Sequence, residues 1–242
     1  MKKVLFFIFV FSFWVLSCEK KPSANIQYKN IVALSEENKK GDVQFSITYP
    51  QFEQYPKLNA KIKQVAQDTE ARCAKLKADI AEFRKEYADD ESDAPNTDDW
   101  TVSLGYEESP TVGRNYISVV FYESSYEGGA HGYVAATTVN YDYVTDKVVT
   151  IADVLSPLNE NWLQLLWEYV REDLTKRSEN TDAENSLGTD PGWIETGAGL
   201  DQDNYGVFTV NDNSITFIFN PYQVACYADG QVLVDVPFTV FE

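Results

Sequence analysis

Apolar positions along this chain recur at strand spacing, then at helix spacing over a long stretch, then mainly at strand spacing again. Val43, Phe45 and Ile47 alternate with Gln44, Ser46 and Thr48, which predicts a strand ending at Tyr49-Pro50. Leu58, Ile62, Val65, Thr69, Cys73, Leu76, Ile80, Phe83 and Tyr87 follow at intervals of three and four, so one face of a long helix turns inward. Three strand candidates come next: Trp100, Val102 and Leu104; Ile117, Val119 and Phe121; and the Val-, Thr- and Tyr-rich run 134–144. A tight turn over 142–147 leads into Val148-Val149-Thr150-Ile151. A second amphipathic helix is predicted from Asn159 to Lys176, with Trp162, Leu163, Leu166, Trp167, Val170 and Leu174 inward. Residues 178–205 read as a long polar loop holding Trp193, and strands at 208–210, 215–219 and 232–236 close the chain. The pattern predicts an α+β fold, a mostly antiparallel sheet packed against two long helices.

Composition narrows the function. The 242 residues are 44% hydrophobic and 14% aromatic, enough for one or two domains with a real core. Against 20 Lys+Arg stand 38 Asp+Glu, a net charge of -18. That balance opposes nucleic-acid binding, which needs clustered cations, and suits a cationic partner. With His131 as the single histidine, no His-rich metal centre can be assembled, and no cofactor motif is present.

The amino terminus reads as an address. Lys2 and Lys3 precede a thirteen-residue apolar run, Val4 to Leu16, broken only by Ser12. It is too short to span a bilayer, which takes about 20 residues. Val15-Leu16-Ser17-Cys18 resembles the bacterial lipobox, which implies cleavage before Cys18 and acylation of that cysteine. Residues 1–17 are then a lipoprotein signal peptide, 18–40 a lipid-anchored tether, and 41–242 the folded module. Cleavage removes two lysines and no acid, taking the net charge from -18 to -20. Of the remaining cysteines, Cys73 and Cys226, an exported location permits a disulfide, and two buried free thiols satisfy the pattern equally.

Several residues invite a chemical reading. His131 could act as a general base with Ser124, Ser125 or Glu127, but the surrounding Gly128, Gly129 and Gly132 describe a turn more than a reaction centre. Asp201, Asp203 and Gly206 match the opening of a calcium loop, yet Tyr205 stands where an oxygen ligand belongs and Asp212 where glutamate belongs. The run 89–99, six acids and a proline, reads as a solvated loop and not as paired glycosidase carboxylates. Tyr116, Tyr122, Tyr126, Tyr133, Tyr141 and Tyr143 pack a sheet on one face and leave alternate rings outward for contact. No catalytic and no metal-ligating residue is assigned.

Three segments carry a family resemblance. They are Thr48-Tyr49-Pro50 with Leu58-Asn59-Ala60-Lys61-Ile62; Tyr126-Glu127-Gly128-Gly129-Ala130-His131-Gly132 through Asn140-Tyr141-Asp142 to Thr150-Ile151-Ala152-Asp153-Val154-Leu155; and Phe219-Asn220-Pro221-Tyr222-Gln223-Val224-Ala225-Cys226-Tyr227-Ala228-Asp229-Gly230, ending in Val236-Pro237. Together they resemble the RsiV/PdaC-like exported module of the DUF3298/DUF4163 type, over residues 42–242 with an N-terminal part at 42–127 and a C-terminal part at 128–242. That module occurs in lysozyme-sensing anti-sigma factors and ahead of a peptidoglycan deacetylase domain. This sequence shows no spanning segment, sigma-binding region or histidine-rich deacetylase domain, so the resemblance implies a sensor-like module alone on a lipid anchor. The expectation is a non-enzymatic lipoprotein of the bacterial cell envelope, exported to a periplasmic or surface face. Its ligand would be a cationic lysozyme-like protein or a cell-wall component, met by Gly128, Gly129, His131, Gly132, Trp193 and Tyr222. A peptidoglycan-modifying or hydrolysing enzyme using His131 is the alternative, and a structural subunit of an envelope assembly a third.

Overall fold

A computed structural model describes residues 26–36, 44–87, 97, 100–180 and 186–242. The predicted signal peptide, Cys18 and nearly all of the acidic run 89–99 lie outside these residues. The fold is α+β, with two sheets and two hydrophobic cores. No helix among the described residues is long and apolar enough to cross a membrane.

The first sheet has seven strands: β1 (Tyr28–Glu36), β2 (Gln44–Phe52), β3 (Thr101–Tyr106), β4 (Thr111–Gly113), β5 (Tyr116–Tyr126), β6 (Tyr133–Asp142) and β7 (Lys147–Val148). They lie in the order β1-β2-β3-β5-β6-β7, with β4 also paired to β5. Only β2 and β3 run parallel, because the 31-residue helix α1 (Pro56–Glu86) makes the crossover between them. α1 buries Leu58, Ile62, Ala66, Cys73, Leu76 and Ile80 on the face the spacing predicts, against Phe45, Ile47, Val102, Leu104, Val119 and Tyr141. This core continues through Tyr141, so the division between cores falls after β6 and not at residue 128.

Two expectations fail in this half. Residues 28–36, assigned to the tether, form β1 along β2. A bulge between Val32 and Leu34 breaks their alternation and hides it from a periodicity reading. The first predicted strand also runs past Tyr49-Pro50 to Phe52. Pro50 pairs with Asn30 of β1, and β3 has already ended its pairing at Ile47, so the missing N–H of Pro50 breaks no ladder on that side.

The second core is built from α2 (Ile151–Leu155), α3 (Trp162–Ser178), α4 (Pro191–Gly197) and an antiparallel sheet of β8 (Phe208–Val210), β9 (Ser214–Phe219) and β10 (Val232–Pro237). α3 turns Trp162, Leu166, Val170 and Leu174 inward. The predicted loop 178–205 holds α4 and a 3-10 turn at Gln202–Tyr205. α4 starts because Asp190 caps the Trp193 N–H and Pro191 occupies the first position, a signal masked by the polar residues around it. Residues 181–185 of that stretch lie outside the described residues.

Side chains of the first sheet satisfy the backbone of β8. The Val210 N–H donates to Ser118 Oγ at 3.0 Å, the Phe208 N–H to Thr138 Oγ1 at 3.2 Å, and Asn140 Nδ2 to the Phe208 carbonyl at 2.9 Å. Val120, Ala136 and Ile218 fill the gap between the sheets. These buried hydrogen bonds hold the two halves in register.

Candidate ligand-binding site

The β5–β6 hairpin turns through Gly128 and Gly129, both at positive φ (86° and 92°), where a side chain would be strained. Gly132 has a different reason to be glycine: a Cβ there would stand 2.9 Å from the Ser125 carbonyl oxygen. This turn places the exposed His131 beside the loop after β9. Its ring stacks on Tyr227, with centroids 3.9 Å apart and planes at 20°. Tyr227 in turn lies 5.5 Å from Tyr222, with planes at 30°. His131 Nδ1 is 2.8 Å from the Gly132 carbonyl, which can only accept, so Nδ1 carries the proton. The Tyr222 hydroxyl lies 3.4 Å from Nε2. The Tyr227 hydroxyl donates to the same Gly132 carbonyl at 2.7 Å, and Trp193 Nε1 donates to the Tyr222 carbonyl at 2.8 Å.

The result is a shelf of four rings from three segments. The Tyr222 ring is 48% exposed, and its backbone sits at φ 69°. A bulky residue rarely adopts that conformation, and here the loop compels it. The Gln223 N–H donates to the Asn220 carbonyl, and Gln223 Oε1 accepts from the Asn220 N–H. Gln223 Nε2 then reaches the carbonyls of Gly197 and Asn204, at 3.0 and 2.9 Å. The Asn220 carboxamide binds both backbone groups of Ala136 on β6, at 2.6 and 3.0 Å. On the other side of the hairpin, Arg72 of α1 pairs with Glu123 and with Glu127, and Thr69 Oγ1 donates to Glu123 at 2.7 Å.

The six residues expected as contacts thus lie in one place or in the turn beside it, although they are separated by up to 94 positions from Gly128 to Tyr222. Trp193 is half-buried on α4 and not on a loop. Tyr227, the ring between His131 and Tyr222, carries no signal of this role in the sequence beyond its place in the Tyr-Ala-Asp-Gly segment. The groups around His131 form no nucleophile–base pair. Ser124 Oγ bonds to Ser103 Oγ at 2.7 Å, Ser125 Oγ accepts from Arg72, and Glu127 is held by Arg72.

The remaining readings resolve separately. Cys73 and Cys226 are not joined to each other, so the disulfide left open by the sequence is not formed. Cys73 is buried under α1 in the first core, while the Cys226 thiol donates to Asp229 at 3.0 Å beside the second. At 201–206, Asp201 caps the Asp203 N–H and Tyr205 is buried, its hydroxyl on the Ala198 carbonyl. Among the described residues no three His, Cys, Asp or Glu side chains converge to hold a metal ion, so the ligand set of a metal-dependent deacetylase is not found there.

Comparison with known proteins matches the two ends of the folded chain to different family models. Residues 36–134 match the family model described as "Deacetylase PdaC", and residues 152–239 match "Protein of unknown function (DUF3298)". The peptidoglycan-N-acetylmuramic acid deacetylase PdaC of Bacillus subtilis is 22% identical over 85% of this chain, which spans only 39% of that protein's length. A DUF3298-family structure from Bacteroides fragilis superposes with a TM-score of 0.60 at 18% identity, over 90% of this chain and 93% of the other. One from Pseudomonas aeruginosa gives 0.50 at 14%, over 89% and 90%. The paired matches support a PdaC/DUF3298-type domain family for this chain, and its fold is the one seen in the DUF3298-family structures.

Proposed function

We propose that the protein is a non-catalytic, lipid-anchored binding module of the bacterial cell envelope, and that the shelf of His131, Tyr227, Tyr222 and Trp193 is its contact surface. The observation that carries this reading is Tyr222, an exposed aromatic ring held at positive φ by a loop whose polar groups are almost all committed. Such strain is retained where a surface has a use for it. Tyr and Trp in a rigid setting are the residues that dominate binding energy in interfaces.

Charge indicates the partner. From Ser178 to Glu242 the chain has eleven acids and no lysine or arginine, and this stretch supplies three of the four rings. A cationic protein of the lysozyme kind would be steered to it. In a titration of the full chain with lysozyme, binding should weaken steeply with added salt. Tyr222→Ala and Trp193→Ala should each weaken it about tenfold or more, with the circular dichroism spectrum unchanged. Absent or salt-insensitive binding overturns the reading.

The PdaC match suggests a role in peptidoglycan modification, which keeps an enzymatic alternative in view. Turnover of peptidoglycan by the wild-type chain that disappears in His131→Ala would replace the binding proposal. Anchoring is tested by Cys18→Ser, which should move the protein from the membrane fraction to the soluble exported fraction; unchanged fractionation refutes the anchor.

A further inference from the structure

Strands β8 and β10 flank the second sheet, and β1 flanks the first opposite β6 and its two-residue neighbour β7. On β6, β8 and β10, side chains engage backbone groups that no strand pairs. Ser118, Thr138 and Asn140 serve β8, the Asn220 carboxamide binds Ala136 of β6, and Arg177 donates to the Leu233 carbonyl of β10 at 2.9 Å. β1 is the exception: no described residue bonds to the outer edge of its backbone. Its nine residues exceed the usual strand of about 5–6, hold no proline and one lysine, and expose Val32 at 61%.

The order of these residues is self-complementary. In Lys29-Asn30-Ile31-Val32-Ala33-Leu34-Ser35-Glu36, take an antiparallel copy about a two-fold axis between Val32 and Ala33. Lys29 then falls opposite Glu36, Asn30 opposite Ser35, Ile31 opposite Leu34, and Val32 opposite Ala33. Charge meets opposite charge, amide meets hydroxyl, and apolar meets apolar. A regular strand forbids this register, because Ile31 and Leu34, three apart, would point to opposite faces. The bulge between Val32 and Leu34 removes that bar. Ile31 pairs with Tyr49 and Leu34 with Ile47, two apart on β2 and both packed on the first core, so Ile31 and Leu34 share a face. We infer that β1 is a dimerisation edge, joining two copies of this chain through one continuous sheet across that axis. A bulge elsewhere blunts an edge; here it lies on the axis, where both copies deviate together.

Sedimentation of the full chain in density-matched detergent, over a dilution series, tests this. A monomer–dimer equilibrium is expected. Lys29→Glu should weaken it about tenfold, since two like-charged pairs replace two opposite ones, and adding Glu36→Lys should restore it. Val32→Lys, which sets two cations beside the axis, should leave only monomer where the wild type is dimeric. Asn30→Cys combined with Ser35→Cys should be cross-linked into dimers by a short bismaleimide, and neither single variant should be. Lys29, Asn30, Val32 and Ser35 are exposed, so circular dichroism should show each variant folded. A dimer that ignores the charge reversal and its rescue overturns the inference. So does a chain that is monomeric at every concentration, which would leave the edge to an extended segment of another protein.

Discussion

Gly197 shows how closely single residues are specified around the shelf. At the end of α4, a Cβ on this residue would overlap the Gln223 carbonyl oxygen, a backbone atom that cannot move aside alone. Gly197→Ala should therefore lower stability by about 3 kcal/mol, read from denaturant unfolding, and loosen the loop that holds Tyr222. A change within a few tenths of a kcal/mol would show that the loop yields. Nothing in the sequence marks Gly197 for this role, because the clash partner lies 26 residues away. His131 is the opposite case. Its glycine neighbours announce a turn, and its ring does bond to the adjacent Gly132 carbonyl. The stack with Tyr227 was not legible, since it joins residues 96 positions apart through tertiary packing alone.

At the scale of elements, periodicity identifies what is long and regular. The 3.6-residue stripe of α1 and the alternation in β3 and β10 were legible because each buries one face, while β5 and β9, buried in part on both faces between the two cores, were legible from their apolar and β-branched runs. Short elements were not, because local hydrogen bonds create them where no stripe exists. α2 is such a case: Thr150 and Asp153 form a reciprocal capping box in front of five residues. The Thr150 backbone N–H, and then its hydroxyl, hold the Asp153 carboxyl below the usual carboxylate range. A depressed folded-state pKa means that this stabilisation is present above the unfolded value and is lost as pH falls through the folded one. Asp153→Asn should cost about 0.5–1 kcal/mol at neutral pH, the low end for an exposed cap. The gap between variant and wild type in thermal melts should close below roughly pH 4. A gap that stays constant with pH would mean that the carboxylate charge contributes nothing.

Across the whole molecule, hydrogen bonds from one half to the other set the geometry of the shelf. Asn140, Thr138 and Ser118 tie the second sheet to the first, and the loop that bears Tyr222 and Tyr227 leans on the hairpin that bears His131. Cations and acids are divided just as sharply, with all 20 Lys+Arg before Ser178. The Asn220 clamp on β6 has a consequence beyond placing the shelf. β7 and the following Val149 cover that strand only from Asn140 to Asp142, so the part before it would offer its outward backbone groups to any extended chain. A carboxamide has the donor–acceptor geometry of a peptide group, and at Ala136 it takes the place of a neighbour's backbone. Wherever copies of this chain meet at high concentration, that one side chain works as a stopper against edge-to-edge polymerisation.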